Sequence, residues 1–573
     1  MENIVFLILR RMRQPLLTLL VVYAVSVLGL TLIPGQDAAG NDWHMSIFHA
    51  FYFVSYMATT IGFGEIPHAF SDAQRLWVSL SLYAAVISWI YAFGTILALV
   101  QDRTFQDAIA ENRFARRIRR MREPFHLVCG YGETGGTLVQ TLTRRGQHVV
   151  VIDIDEARTN MIQLQDLREF VPALHGDAAI TRHLKEAGLQ HPSCISVVAL
   201  TDDNAVNLKI AITAKLLNER VKVICRADSH DIEANMASFG TDHIVDPFDT
   251  FASHLAVAFQ APCLYLLQRW LTGREGSALT EPLYPPTDGH WIVCGYGRFG
   301  KAICARLKSE GIRVVVVEAN PEQTGRPDQD FVAGRGTEAD TLTEAGIEHA
   351  AGLVAGTDDD ANNLSIVMTA RELNDDVFVV VRQNQHDNQH IIVAVHADMI
   401  MHPSAIIAEK IRVLLATPML YEFLSLALYQ DDSWACELAS RVTALVRDQV
   451  PLVREWELGE SEAGALCAHL DKGGQFLIGD LLRDPWQRER SLNAIVLLVR
   501  RRNDRLLLPD ADSPIRPRDR MLICGDQTAF TRMQWNVSHQ HTIDYIRTGE
   551  DSPQGWLWQQ ISRAINKRKK RAG

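Results

Sequence analysis

Apolar positions crowd the first part of this chain. Beyond it, short apolar runs alternate with polar, helix-patterned stretches. The run from Pro15 to Ile33 is about 19 residues long, enough to cross a bilayer and long for the apolar part of a secretory leader. No clear cleavage site ends it. A second run, Leu76 to Val100, carries no charged side chain. Both predict transmembrane helices. Between them, Trp43 to Ala58 is rich in Phe, Tyr and Ala, but too short and too polar to span. It predicts a re-entrant helix, tolerated at membrane depth where protein surrounds it. Arg10, Arg11 and Arg13 precede the first run, and Arg113, Arg116, Arg117, Arg119, Arg120 and Arg122 follow the second. The segment Pro34 to Asp42 holds Asp37 and Asp42 and no base. Both termini of this multi-pass chain are therefore expected on the cytoplasmic side of an inner (cell) membrane. Neither span carries an arginine series, so no voltage sensor is expected.

The pattern after the second span repeats. His126-Leu-Val-Cys-Gly-Tyr-Gly-Glu-Thr-Gly135 parallels Trp291-Ile-Val-Cys-Gly-Tyr-Gly-Arg-Phe-Gly300, and Val149 to Asp153 parallels Val314 to Glu318. Leu184 to Gly188 parallels Leu342 to Gly346, and Thr201 to Asn207 parallels Thr357 to Asn363. Arg226 matches Arg382, Pro247 matches Pro403, and Pro262 matches Pro418. An offset of roughly 160 residues is too long for a solenoid and means two copies of one domain. Each copy reads as an apolar strand, GxGxxG, a helical pattern, and a second apolar strand ending in an acid. That sequence is the Rossmann signature. Its glycines allow a tight turn and the close approach of a pyrophosphate to a helix N-terminus. Asp153 and Glu318 are placed to accept hydrogen bonds from a ribose diol, and would repel a 2′-phosphate.

Composition adds three constraints. At 573 residues the chain holds several domains. A net charge of −11 does not suggest a nucleic-acid binder. Nine cysteines without a CxxC pair read as reduced thiols, not as disulfides or a zinc site.

Residues Thr59-Thr60-Ile61-Gly62-Phe63-Gly64-Glu65, between the re-entrant segment and the second span, resemble the potassium-channel selectivity filter, Thr-Val-Gly-Tyr-Gly-Asp. Ile61, Phe63 and Glu65 are the conservative departures. Such a filter aims backbone carbonyls at an axis in place of the ion's water shell. Gly62 and Gly64 permit the required dihedrals. Ile61 and Phe63 are expected to pack outward, and the Thr60 hydroxyl to meet K⁺ at the inner end. The C-terminal end of the re-entrant helix would point its negative dipole toward the cation. The resemblance implies a tetramer, each chain supplying a quarter of the pore. Many such channels have a glycine hinge in the inner helix. Here Ala84 and Ala85 stand near that position. Gly94 is either a lower hinge or a small residue where four helices meet.

Pore plus two Rossmann units resembles the prokaryotic potassium channels gated by tandem RCK domains, the regulators of potassium conductance. The resemblance implies an α-helical pore followed by two α/β Rossmann-like domains and a small α+β C-terminal lobe. It places the pore at 1–100, a linker at 101–124, the first RCK domain with its helical crossover at 125–289, the second at 290–430, the C-terminal lobe at 431–530 and a tail at 531–573. The run Ile515 to Gly525 is similar to the closing turn and strand of that lobe. The stretch Phe248 to Leu271, broken by Pro262, matches Ala405 to Leu428, broken by Pro418. In the family this helix-turn-helix crosses between lobes and forms a dimer interface; core packing within one chain is the other reading.

The resemblance also implies a gating ligand, NAD(H) or an ADP- or AMP-type nucleotide. In the first copy it falls to Gly130, Tyr131, Gly132, Glu133, Thr134 and Gly135 in the turn, to Asp153 and Ile154 at the strand end, and to Asp177, Ala178, Thr201 and Arg226. In the second copy it falls to Gly295, Tyr296, Gly297, Arg298, Phe299 and Gly300, to Glu318 and Ala319, and to Thr357, Asp358 and Arg382. Glu133 would repel phosphate unless turned away, whereas Arg298 could pair with it. Asp177 resembles a position where some RCK channels bind Ca²⁺, although Arg226 and Asp228 stand where those sites favour two acids. The basic end, Lys567 to Arg571, is a solvated tail or a contact with anionic lipid.

The expected function is a ligand-gated, homotetrameric K⁺ channel in the lipid bilayer, with no catalytic residues. An NAD-dependent membrane oxidoreductase is the first alternative, disfavoured because no His or Tyr-Lys acid–base set accompanies the Rossmann units. A regulatory membrane protein with a non-conducting pore is the second.

Overall fold

The computed structural model describes residues 2–549 apart from 38–40, 229, 329, 447 and 503. The basic run Lys567 to Arg571 lies outside the described residues. The chain divides into two compact units: Met1–Arg122 with Pro172–Leu174 and Arg182–His191, and Glu123–Val171 with His175–Thr181 and Pro192–Gly573.

In the first unit, helix Glu2–Leu32 and helix Asp72–Gln101 flank a short helix, Ile47–Ala58. The segments Arg11–Leu32 and Asp72–Gln101 are long and apolar enough to cross a membrane. The long helices are tied together at one end. Ser71 and Gln74 form a capping box, and the Gln74 amide also donates to the Ile33 carbonyl at 3.1 Å. The Trp77 indole donates to the Ser26 carbonyl at 3.1 Å. A Cβ on Gly29 would lie only 2.0 Å from the Trp77 ring, so glycine is what lets the two helices close. Leu30, Phe53, Val54, Tyr56, Met57 and Ala85 form the core between the three helices. Leu20, Leu28, Tyr83, Ile87, Ile90 and Phe93 remain exposed, an apolar surface of the kind that lipid or further subunits cover. Asp102 ends the second span and caps the helix Arg103–Ile118, accepting from the Phe105 amide at 3.3 Å. The expected linker is therefore largely helical.

Beyond residue 123 the chain forms two parallel six-stranded sheets of identical order. In the first, strands run Ala173–His175, His148–Asp153, Phe125–Cys129, Cys194–Ala199, Lys222–Arg226 and His243–Val245. In the second they run Asp330–Ala333, Arg313–Glu318, His290–Cys294, Ala350–Ala355, Phe378–Arg382 and Met399–Met401. The central strands are apolar at nearly every position because helices cover both faces. Such an order places the ligand cleft at the carboxyl ends of the central strands, where the chain reverses direction across the sheet.

The crossovers are the helix pairs Pro247–Gln260 with Pro262–Thr272 and Pro403–Ala416 with Pro418–Ala427. They exchange between the two copies of one chain. Phe248, Phe251 and Leu255 of the first crossover lie in the core of the second copy, beside Phe299, Ile303 and Trp291. Helix Pro403–Ala416 packs reciprocally on helix Glu133–Arg144 of the first copy.

The C-terminal lobe has a four-stranded antiparallel sheet, ordered Leu452–Glu457, Arg520–Gly525, Ala494–Arg501 and Asp504–Leu507. It extends past the expected end at 530. Helices Gln527–Ser538 and Gln540–Thr548 bury Met533, Val537, Ile543 and Ile546 in its core. The cysteine expectation also needs correction. Cys263 of the first crossover is joined to Cys436 of helix Asp432–Val446 by a disulfide, while seven other cysteines are free and buried. The pair lies 173 residues apart in sequence, so no spacing rule exposes it.

Candidate functional site

The filter segment leaves the C-terminus of helix Ile47–Ala58, whose last carbonyls reach forward into it. Ile61 and Gly62 both donate through their amides to the Tyr56 carbonyl, at 3.1 and 3.4 Å. Thr60, Gly62 and Gly64 all have positive φ, at +60°, +65° and +76°. This alternation turns every second peptide over, so that consecutive carbonyls can line one side of the strand. Thr60 is β-branched, and such residues avoid this region unless the surroundings impose it. The segment is locked at its far end as well. The Tyr56 hydroxyl donates to the Glu65 carbonyl at 2.9 Å, and the Tyr52 hydroxyl to the Glu65 carboxylate at 3.1 Å. Tyr52 and Tyr56 were not singled out from sequence. Their one-turn spacing on an aromatic half-helix was the available signal. The Phe63 ring meets Tyr56 edge-on at 6.1 Å, and both Ile61 and Phe63 remain largely exposed in the single chain.

Each glycine turn joins its first strand to a helix that starts at Gly132 or Gly297 without a side-chain cap. The first-turn amides are left free for an anion. Close contact explains the last glycine of each motif. A Cβ on Gly135 would stand 2.0 Å from the Gly130 carbonyl oxygen, and on Gly300 1.9 Å from that of Gly295. The acids at the second strand ends are nearly buried. Asp153 accepts from the Tyr131 amide at 2.5 Å and the Asp155 amide at 2.8 Å. Glu318 accepts from the Tyr296 amide at 2.6 Å and the Asn320 amide at 2.8 Å. Both carboxylates therefore clamp the glycine turn to the sheet, and a ribose would use their remaining lone pairs. Ile154 and Ala319, next in sequence, are exposed at the rim.

Across the cleft, two asparagines absent from the expected site organise the wall. Asn207 accepts from the Thr201 hydroxyl at 2.8 Å and donates to the Thr201 carbonyl at 2.9 Å. Asn363 does the same for Thr357, at 2.7 and 3.0 Å, and donates to the Arg382 carbonyl at 2.8 Å. Both asparagines are fully buried. They recur at the same place in both repeats, which was the signal that could have marked them.

Several expected ligand residues have other partners. Arg226 pairs with Asp228 at 3.0 Å and with Asp202 at 3.1 Å. Arg298 is not left free for a phosphate: it pairs with Asp228 at 3.1 Å and lies over the Phe248 ring. Arg382 lies over the same ring, and its Nε is buried with no hydrogen-bond partner among the described residues. Burial pulls its guanidinium below the usual range, opposed by Asp358. Phe299 and Thr134 have buried side chains, so only their backbone amides can face a ligand. Ala178 is buried too. Glu133 is turned away from the phosphate position. Its carboxylate accepts from the His386 amide at 2.6 Å and the Ser404 hydroxyl at 3.0 Å. Glu133 and Arg298 occupy equivalent positions, and each reaches from its own turn into the other copy. Asp177 accepts from the Ala179 amide at 2.7 Å. Among the described residues it belongs to no group of three side chains close enough to hold a metal ion, so nothing further supports Ca²⁺ there.

Comparison with known proteins fits this division. The ion channel family matches residues 16–102, and the TrkA-N domain family matches 126–247 and again 291–403. The chain combines an ion-channel domain with two TrkA-N domains. It is homologous to prokaryotic potassium channels. Potassium channel protein 1 of Methanocaldococcus jannaschii is 28% identical over 151 residues, covering 25% of this chain and 45% of that protein. The voltage-gated potassium channel Kch of Escherichia coli K12 is 28% identical over 191 residues, covering 33% and 43%. The chain thus spans less than half the length of these curated relatives. A solved structure, the GsuK channel, is 17% identical, covering 94% of this chain and 100% of that one with a TM-score of 0.47. That superposition is too loose to carry weight.

The clamp on the turns of the TrkA-N domains has a measurable consequence. Asp153→Ala and Glu318→Ala each remove a carboxylate that holds two backbone amides. Loss of such charge-assisted bonds should weaken nucleotide binding by about ten- to a hundredfold, or roughly 1.5–3 kcal/mol. Calorimetry with NAD⁺ and with ADP on the full-length protein measures this. Unchanged affinity in both variants would remove the two acids from the site.

Proposed function

We propose that this chain is the subunit of a ligand-gated potassium channel. Four copies surround one pore, K⁺ passes along the Thr60 to Gly64 carbonyls, and a nucleotide in the TrkA-N clefts sets the opening. The observation that carries this reading is the alternating positive φ of Thr60, Gly62 and Gly64, beyond a half-helix that ends at the filter. A structural turn has no need of three such residues in alternation, whereas a carbonyl ladder does. The family matches at 16–102, 126–247 and 291–403 support the same reading. So does the chain's likeness to proteins named as potassium channels.

The ligand is NAD(H) or an ADP- or AMP-type nucleotide. Buried Asp153 and Glu318 disfavour a ribose 2′-phosphate by charge, and the uncapped helix starts at Gly132 and Gly297 suit a pyrophosphate. Among solved structures similar to this chain, one GsuK structure is described as bound to NAD and another as bound to ADP. The membrane is an inner (cell) membrane, with both termini cytoplasmic, on the arginine distribution about the two spans. The nucleotide acts as a regulator, not as a redox substrate. Flux through proteoliposomes tests the whole reading. K⁺ uptake that exceeds Na⁺ uptake and changes with added NAD⁺ or ADP is expected. Equal, nucleotide-independent fluxes would overturn it.

The ligand's effect must pass to the pore mechanically. A ligand shifts the closed–open balance only by its differential affinity for the two states. The only covalent route is Gln101 to Glu123, where Asp102 both ends the inner helix and starts the next. A flexible Gly/Ser insert after Val100 should slacken this link. In single-channel recording the nucleotide response shrinks, while conductance and selectivity are unchanged. A full response with a long insert would show that gating takes another route.

A further inference from the structure

We propose that Glu133, His386 and His402 form a transition-metal site, suited to Zn²⁺, that bridges the two TrkA-N domains. One ligand atom from each of the three side chains lies within 4.8 Å of the others. Glu133 comes from the glycine turn of the first domain. His386 follows the fifth strand of the second domain, and His402 precedes its crossover helix. The two imidazoles are 5.6 Å apart between centroids and tilted by 60°. His402 Nε2 is buried, has no hydrogen-bond partner among the described residues, and lies 3.8 Å from a Glu133 oxygen. A buried polar atom without a partner costs free energy, and a metal ion is one group that would satisfy it.

The donor set decides the metal. Two imidazole nitrogens and one carboxylate oxygen suit Zn²⁺ and its neighbours, with a further position left for water. Ca²⁺ and Mg²⁺ prefer all-oxygen surroundings. Among the described residues each Glu133 oxygen accepts one hydrogen bond, from the His386 amide or from the Ser404 hydroxyl, so each retains a lone pair. His402 Nδ1 accepts from the Ala405 amide at 3.3 Å, at the start of the crossover helix. Binding through Nε2 shifts the ring proton to Nδ1 and exchanges that long cap bond for the metal. The consequence reaches the nucleotide cleft. A bound cation neutralises Glu133 and holds its carboxylate away from the phosphate position of the first domain. This site would stand whether or not the pore conducts.

The test uses the full-length, untagged protein in detergent, freed of metal by chelation. Co²⁺ is the optical probe, and Zn²⁺ is added in competition. One Co²⁺ per chain should bind with the ligand-field spectrum of a low-coordinate nitrogen and oxygen site, without thiolate charge-transfer bands, and Zn²⁺ should displace it. His386→Gln and His402→Gln should each weaken Zn²⁺ binding by about tenfold or more. X-ray absorption at the zinc edge of the unmodified protein gives a second readout that does not depend on a variant folding. It should report two imidazoles and no sulfur. Absence of the cobalt spectrum, sulfur ligation, or undiminished Zn²⁺ affinity in both folded variants would overturn the proposal. Sulfur ligation would point instead to Cys263, Asp432 and Cys436, which also lie close together but offer thiolates only once their disulfide is reduced.

Discussion

Replacing Gly64 by alanine should abolish K⁺-selective current while the channel still assembles in the membrane. Gly64 has φ +76°, and space for a Cβ is open within the chain, so the penalty is conformational and not a clash. An L-residue held in the left-handed region costs roughly 1–2 kcal/mol, or about 4–8 kcal/mol over four subunits. The peptide between Phe63 and Gly64 relieves that strain by rotating, which removes a carbonyl from the ladder. Thr60 already carries strain of this kind at +60°. Tyr56→Phe offers a milder comparison, removing only the hydroxyl that donates to the Glu65 carbonyl. It should cost about 0.5–1.5 kcal/mol at the filter and reduce, not abolish, the preference for K⁺. Reversal potentials under bi-ionic K⁺/Na⁺ conditions measure both variants. A Gly64→Ala channel with normal selectivity would remove the ladder from the mechanism, though not the fold.

Gly300→Ala should eliminate nucleotide binding in the second TrkA-N domain and destabilise that domain. The added Cβ would meet the Gly295 carbonyl oxygen at 1.9 Å. That neighbour is backbone, fixed by the Gly295 amide donating to the Val317 carbonyl at 2.8 Å, so it cannot swing aside. The turn must open, and the helix start at Gly297 moves with it. Overpacking of this kind costs about 1–3 kcal/mol in stability. The loss of aligned amides should weaken the nucleotide by at least a hundredfold, or roughly 3 kcal/mol. Gly135→Ala does the same to the first domain, where the contact is 2.0 Å. Calorimetric stoichiometry separates the domains. Wild type is expected to bind two nucleotides per chain, each single variant one, and the double variant none. Full stoichiometry in Gly300→Ala would show that its cleft does not use the glycine turn.

The exchanged crossovers bring these sites into one structure. Phe248 of the first crossover is covered by Arg298 and Arg382 of the second domain. Arg298 also holds Asp228 of the first domain, and Glu133 is held by the second. The residue after the second glycine of each fingerprint is therefore a tie between domains. A ligand in one cleft would act on the turn that also touches the other domain. That arrangement would give coupling between the clefts a physical path without new contacts.

Local pattern alone determined the two spans, the half-helix before the filter, the duplicated domain and the glycine turns. Each is encoded within a window of a few tens of residues. Membrane crossing needs an unbroken apolar run, a buried parallel strand needs apolar side chains on both faces, and a tight turn against a carbonyl needs glycine. Tertiary structure decided what the polar side chains at those elements do. Glu133 and the His386 amide are 253 residues apart in sequence, and Arg298 lies 70 residues from Asp228. No local period connects such pairs, so the charge of Arg298 suggested a phosphate contact and that of Glu133 a repulsion, whereas the folded chain engages both side chains across the two domains. Asp153 was legible as an acid at a strand end, but not as the clamp on the Tyr131 amide, because that role depends on how the turn folds back over the sheet. The same holds for Cys263 and Cys436, and for helices Gln527–Ser538 and Gln540–Thr548. Their apolar faces show that they must be covered. Only the packed lobe shows by what.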